Sequence, residues 1–261
     1  MASPPTAARA PHPDDRTAMR VWGFAALVWV ASCSDGDTDK TGGPSGASSS
    51  GAGDASASSS GTIPGGDSDT VVVHAVVDLP RTARTRTLSG LTGEGPHFYA
   101  VPDKDRRIVG LTANADYTGF EIDDGTVLTG LVHPTWDGEG IARAPDGSFY
   151  LVADETAPNV VHVSAEGAFL AQIPVPGRYA GQPRNNKGLE SLSIAPSGAF
   201  LFSCNESALT TDGVAATKTQ GTVVRILRLA VGQAGSREYA YRTESLGAGS
   251  GGDMGVSEVH A

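Results

Sequence analysis

Cysteine is scarce: Cys33 and Cys204 are the two in 261 residues, too few for a disulfide framework. No His-x-x-x-His or paired-cysteine spacing occurs, so zinc finds none of its usual ligand patterns. No apolar run is long enough to span a bilayer as a helix. No Gly-x-x-x-x-Gly-Lys loop is present to cradle a phosphate, and no Gly-x-Ser-x-Gly elbow to expose a nucleophilic serine. Positive charge is the minority. Nineteen Lys and Arg against 29 Asp and Glu leave −10 at pH 7, the opposite of the footprint nucleic acid demands. The acid suits divalent cations, although Asp35, Asp37, Asp39 and Asp54 fall in a stretch where solvation explains them.

What is present begins with an export pattern. Residues 1–18 are rich in Pro, Ala and Asp and do not look like a signal. Met19-Arg20, the short apolar run that follows and the small residues before Cys33 form a signal peptide over 19–33. Translation is therefore expected to start at Met19, with residues 1–18 a start-site overcall. Val30-Ala31-Ser32-Cys33 resembles a bacterial lipobox. The resemblance implies that Cys33 is lipidated, becomes the mature N-terminus and is the chain's contact with a membrane. The competing reading is a short buried strand ending in an ordinary cysteine. From 34 to 69 the chain is Ser, Gly, Ala, Asp and Thr, too poor in apolar surface to offset its ordering entropy, and reads as a tether. A bacterial envelope location follows as an expectation. Cys204, at the end of an apolar strand, reads as a small buried hydrophobe.

The globular part, 70–261, is organised around one stretch, Asp137-Gly-Glu-Gly-Ile-Ala-Arg-Ala-Pro-Asp-Gly-Ser-Phe-Tyr-Leu-Val-Ala-Asp-Glu155. Pro145 pre-sets φ, Gly147 accepts φ > 0, and the flanking runs are apolar, which predicts a hairpin. A hairpin returns its ends to one another, so Glu139 is expected near Asp154 and Glu155. Carboxylates that close need a cation, a proton or a basic partner. The shape recurs before Asp103, again from Gly188 to Glu206, and begins once more at Met254. Aligning Ser89, Glu139, Glu190 and roughly Ser257 gives steps of about 50, 51 and 67 residues, against a period near 40–50 for β-propeller blades. Further strands are expected at 71–77 (an outer edge strand), 106–111, 117–122, 126–132, 160–163, 168–176, 221–229 and 237–242. No helical period is found beyond the signal. The class is all-β: β-propeller-like antiparallel blades, about three to four of them.

Leu88-Ser-Gly-Leu, Asp137-Gly-Glu-Gly-Ile-Ala, Asp154-Glu155, the Arg184-Asn-Asn-Lys-Gly-Leu-Glu-Ser run, Asn205-Glu206-Ser and Gly255-Val-Ser-Glu-Val resemble the bacterial "esterase-like activity of phytase" domain. The resemblance covers roughly residues 85–261 and implies an exported, propeller-like domain that hydrolyses a phosphoester or ester. Members of that family continue past the Ser-Glu-Val element. The resemblance therefore implies that this domain is C-terminally truncated, leaving open strand edges.

In a propeller the innermost strands converge at one end. Glu139, Glu190 and Glu258 stand at matching blade positions; Asp154, Glu155 and Glu206 stand at the returning ends, with Asp103 their counterpart in the first unit. Such oxygens suit Ca²⁺, which takes six to eight of them, and the expected ligands are Glu139, Asp154, Glu155, Glu190 and Glu206. The cation would polarise a phosphoryl or acyl oxygen and acidify a bound water. Arg184 and Lys187, beside Glu190, are expected to hold substrate phosphate and to share the catalytic role with Glu139 and Glu190, with Asn185 and Asn186 as further polar contacts. The bland alternative is that the acids cap turns and the two cations neutralise a solvated rim. His133 is a weaker candidate base or ligand; His97 and His162 read as ordinary strand residues, and Ser89 and Ser191 as poor nucleophile candidates. The leading expectation is an envelope lipoprotein hydrolase for a small phosphoester or ester. The rival is a non-catalytic propeller that binds a ligand or protein and keeps the acids for structural Ca²⁺.

Overall fold

The computed structural model describes residues 76–132, 135–153, 158–184, 187–247 and 255–261. The signal, Cys33 and the tether lie outside the described residues, as do His133, Asp154, Glu155, Asn185 and Asn186.

The described chain is three antiparallel meanders, each read in chain order from an inner strand outward. The first sheet holds β1 (Leu88–Glu94), β2 (His97–Pro102), β3 (Arg107–Ala113) and β4 (Phe120–Ile122), with β5 (Thr126–Val127) pairing on the other end of β3. The second holds β6 (Gly138–Arg143), β7 (Phe149–Ala153), β8 (Asn159–Val163) and β9 (Phe169–Ile173). The third holds β10 (Ser193–Ile194), β11 (Phe200–Cys204), β12 (Val223–Ala230) and β13 (Ser236–Arg242). One 3-10 turn, Gly177–Tyr179, is the only helical element among the described residues.

The strands pair as neighbours because their turns are built to. In the β6–β7 hairpin Gly147 takes φ +88° and donates its N–H to Ala144 O at 2.9 Å, closing the Pro-Asp-Gly turn. Asp146 Oδ1 accepts from Ser148 N at 3.0 Å. The sheets then pack face to face. Phe149 and Leu151 of β7 join Val101, Ile108, Leu128 and Ile141 in a core between the first and second sheets. Tyr150 and Val152, on the opposite face, join Leu189, Leu192, Leu201, Leu227 and Leu229 in a core between the second and third. A strand buried on both faces has to be apolar without alternation, which is why Phe149-Tyr-Leu-Val reads as a continuous run.

The expected edge strand at 71–77 is not borne out in its described part. Val76 and Val77 belong to no strand and Val76 is exposed; residues 71–75 lie outside the described residues.

Candidate functional site

The three inner segments lie side by side, backbone against backbone. A Cβ on Gly90 would sit 2.6 Å from Gly140 Cα, and a Cβ on Gly140 would sit 2.6 Å from Leu192 N. Each of these segments also carries one residue more than its partner strand. In β1 the extra residue falls between Leu88 and Leu91, and in β6 it is Glu139 itself, between the pairs Gly138–Ala153 and Gly140–Val152. In the third sheet it falls between Leu189, bridged to Asn205, and Ser193, paired with Phe202. A bulge re-aims the side chain it inserts. Ser89, Glu139 and Glu190 all stand at such bulges, so the recurrent sequence position is a recurrent backbone device.

At the second bulge the carboxylates gather. Asp103, on the turn after β2, Asp137, before β6, and Glu139 each offer an oxygen, and these oxygens lie within 4.8 Å of one another. Two hydrogen bonds set the spacing. Gly138 N donates to Asp103 O at 2.9 Å, and Trp136 Nε1 donates to Pro102 O at 3.1 Å, which clamps the two segments together. Asp137 and Glu139 follow each other at i and i+2. Ser89 Oγ reaches across from the first sheet and donates to Glu139 Oε2 at 3.1 Å.

Lys104 enters the same cluster. Its Nζ donates to Asp137 Oδ1 at 2.6 Å and lies 2.7 Å from Asp103 Oδ1. Asp103 Oδ1 is itself buried, and the Lys104 ammonium is its ion-pair partner. Burial first, and the hydrogen bond and charge of Asp137 after it, push the Asp103 carboxyl up to about 6 against the pull of Lys104. Asp137 goes the other way. Burial raises it, but hydrogen bonds to Asp103 and Lys104 and the Lys104 charge prevail and hold it below the ordinary carboxylate value. For Lys104, burial pulls the ammonium down, and its two aspartate partners more than reverse that. The pair Asp103 and Asp137 thus has one member that keeps its proton into mildly acidic solution and one that stays ionised.

The third sheet gathers a separate set. Glu190 N donates to Cys204 O at 3.0 Å, and Glu206 N to Gly188 O at 2.8 Å. Lys187 Nζ donates to Glu206 Oε1 at 2.7 Å. The Cys204 thiol, buried and 3.5 Å from Ser191 Oγ, is pushed up to about 12. Burial is the main cause, and the charges of Glu190, Glu258 and Glu206 add to it. Arg184 Nη2 donates to Gly213 O, and its backbone O accepts from Lys187 N at 3.0 Å. The structure therefore brings Glu139 together with Asp103, and Glu190 together with Glu206 and Lys187. Asp137 and Lys104 are the members of the first cluster to which the sequence assigned no role. The i, i+2 acids of Asp-Gly-Glu were the available signal for Asp137. Lys104 had none, because its partners come from a hairpin turn and from another sheet.

His97 and His162 lie in β2 and β8. His97 Nδ1 lies 3.3 Å from Thr112 Oγ1, and Cys204 is buried. Ser148 Oγ donates to Asp146 Oδ1 at 2.6 Å and lies 2.7 Å from His162 Nε2. With the serine proton on the aspartate, His162 as its Nε2–H tautomer donates to the serine, and the trio is a relay of hydrogen bonds.

Three antiparallel meanders packed in series, with acids at the inner-strand bulges of the second and third, define a β-propeller-like protein. The family described as phytase-like, esterase-like activity of phytase, matches residues 84–261, and the chain belongs to it. Among solved structures the chain is similar to the periplasmic gluconolactonase PpgL of Pseudomonas aeruginosa, at 13% identity and a TM-score of 0.31. That likeness covers 65% of this chain and 60% of the gluconolactonase. No match is found among curated proteins.

Proposed function

We propose that this chain is an envelope-anchored hydrolase of a small phosphoester or related ester, working with a divalent cation held by Asp103, Asp137 and Glu139. One observation carries the reading: carboxylates from two adjacent sheets converge on a bulge, in a member of a family described by esterase-like activity of phytase. The donor set fits a hard cation. It is all oxygen, partly buried, and includes the buried Asp103 Oδ1. Such a cation would polarise the scissile phosphoryl or acyl group and acidify a bound water. Calcium is the natural first candidate. The chain's own residues do the rest: Ser89 holds the Glu139 carboxylate, Asp137 stays anionic, and the Trp136 clamp keeps both sheets in register. Lys187 and Arg184, both tied to the third sheet, are left as candidate contacts for the anionic end of a substrate bound between the two clusters.

Lipid attachment at Cys33 is supported by the lipobox resemblance and by the 34–69 tether that follows it. Radiolabelled palmitate should enter the wild type and not Cys33→Ser.

The activity is tested with p-nitrophenyl phosphate and p-nitrophenyl butyrate, with Ca²⁺ and with chelator. Turnover is expected on at least one, lost with chelator, and reduced about a hundredfold or more in Glu139→Gln at unchanged melting temperature. A calcium-dependent rise in melting with no turnover on either would transfer the chain to the ligand-binding class.

A further inference from the structure

The carboxylate cluster already contains a cation of its own. Lys104 Nζ stands 2.6 Å from Asp137 and 2.7 Å from Asp103, distances close to the roughly 2.3–2.6 Å at which calcium takes oxygen. An ammonium and a calcium ion therefore ask for nearly the same place among these oxygens. The two do not satisfy it equally. One positive charge faces three carboxylates, and the ammonium pairs with two of them, Asp103 and Asp137.

Lys104 is also free to leave. It sits on the turn between β2 and β3, and its side chain is 64% exposed, so the stem can swing into solvent and recover rotamer entropy. The comparison within the same molecule is Lys187, whose side chain is 23% exposed and whose partner Glu206 is 20% exposed. Lys187 is packed in; Lys104 is laid on.

We propose that Lys104 is a tethered ammonium that occupies the carboxylate cluster until a divalent cation displaces it, so that its departure sets the cluster's affinity for that cation. The proposal rests on the cation reading above. While Lys104 is in, the acids are partly neutralised and the hairpin turn is pinned to the second sheet. When the cation enters, the ammonium is expelled to the rim of the site. The apparent affinity is the intrinsic affinity reduced by the fraction of molecules with the lysine withdrawn.

Calcium binding to the full chain, measured by titration calorimetry, tests this. Lys104→Met should bind Ca²⁺ about tenfold more tightly than the wild type, with Lys104→Arg falling well short of that gain. Asp137→Asn should abolish binding in both backgrounds. In the wild type, saturating Ca²⁺ should speed the reaction of Lys104 with an amine-directed reagent, read by mass spectrometry, and leave Lys187 unchanged. That arm carries the test if Lys104→Met does not fold. Equal affinities in wild type and Lys104→Met, or labelling indifferent to bound Ca²⁺, overturns the role of Lys104 and leaves the cation reading standing. Absence of any Asp137-dependent binding in wild type and variants overturns both.

Discussion

Asp137 and His162 show how differently two polar residues of one sheet are used. Asp137 accepts from Lys104, is further stabilised by Asp103, and is held as an anion at the junction of two sheets. His162 is half-buried, stacked on Tyr150 at a centroid distance of 4.3 Å, and donates into the Ser148–Asp146 relay. Burial lowers its pKa below the ordinary histidine value, and the nearby Asp146 charge only partly opposes this. A depressed folded-state pKa means the neutral ring is favoured by folding. The stability it contributes is complete above the unfolded value near 6.5 and is lost as pH falls through the folded one. His162→Gln is therefore expected to flatten the fall of melting temperature between pH 7.5 and pH 5. A variant as acid-sensitive as the wild type would show that the loss lies elsewhere. At this scale the sequence was half legible. Glu139 and Asp103 stood out through the repeat, whereas Lys104 acquires its meaning from Asp137, which is 33 residues away in the chain.

The hairpins were the most legible elements, because a turn of Pro, Asp and Gly writes its own conformation. The apolar run from Phe149 to Val152 matches β7 to within one residue, while β6 begins three residues before Ile141 and ends one before Ala144. The inner strand of the third sheet was less legible. Its pairing is interrupted by the bulge, so that only Ser193–Ile194 forms regular strand. A bulge costs one residue and leaves no compositional mark, and register therefore had to come from the structure. The glycines beside the bulges were visible but mute. Gly140 has no positive φ to explain it; what it needs is room, with Leu192 N and Ser191 C both inside 3 Å of where a Cβ would be. Gly140→Ala should therefore destabilise by about 1–3 kcal/mol in urea unfolding, since neither obstacle is a side chain able to turn away. An unchanged midpoint would mean that the second and third inner segments can part without cost.

For the molecule as a whole, the decisive pattern was apolar residues on both faces of the middle strands. It excludes a two-layer sandwich with one wet face per sheet and requires sheets stacked in series. Leu227 has no exposed surface and belongs to the core between the second and third sheets. Its replacement by Ala should cost about 2–5 kcal/mol, read as a lowered urea midpoint at an unchanged m-value. A fall in m with it would indicate that the third sheet unfolds apart from the other two.

Each sheet is made from consecutive strands, and this gives assembly a direction. The core between the first two sheets draws only on residues up to Phe169, so it can close before any of the third sheet has been synthesised. The second core uses the far face of a sheet that is by then already standing. Within each sheet only short loops need closing, which shortens the search for an all-β chain. The same order runs backwards under load: pulled from its C-terminus, this domain should surrender one sheet at a time, and the Asp103–Asp137–Glu139 cluster would outlast the first rupture.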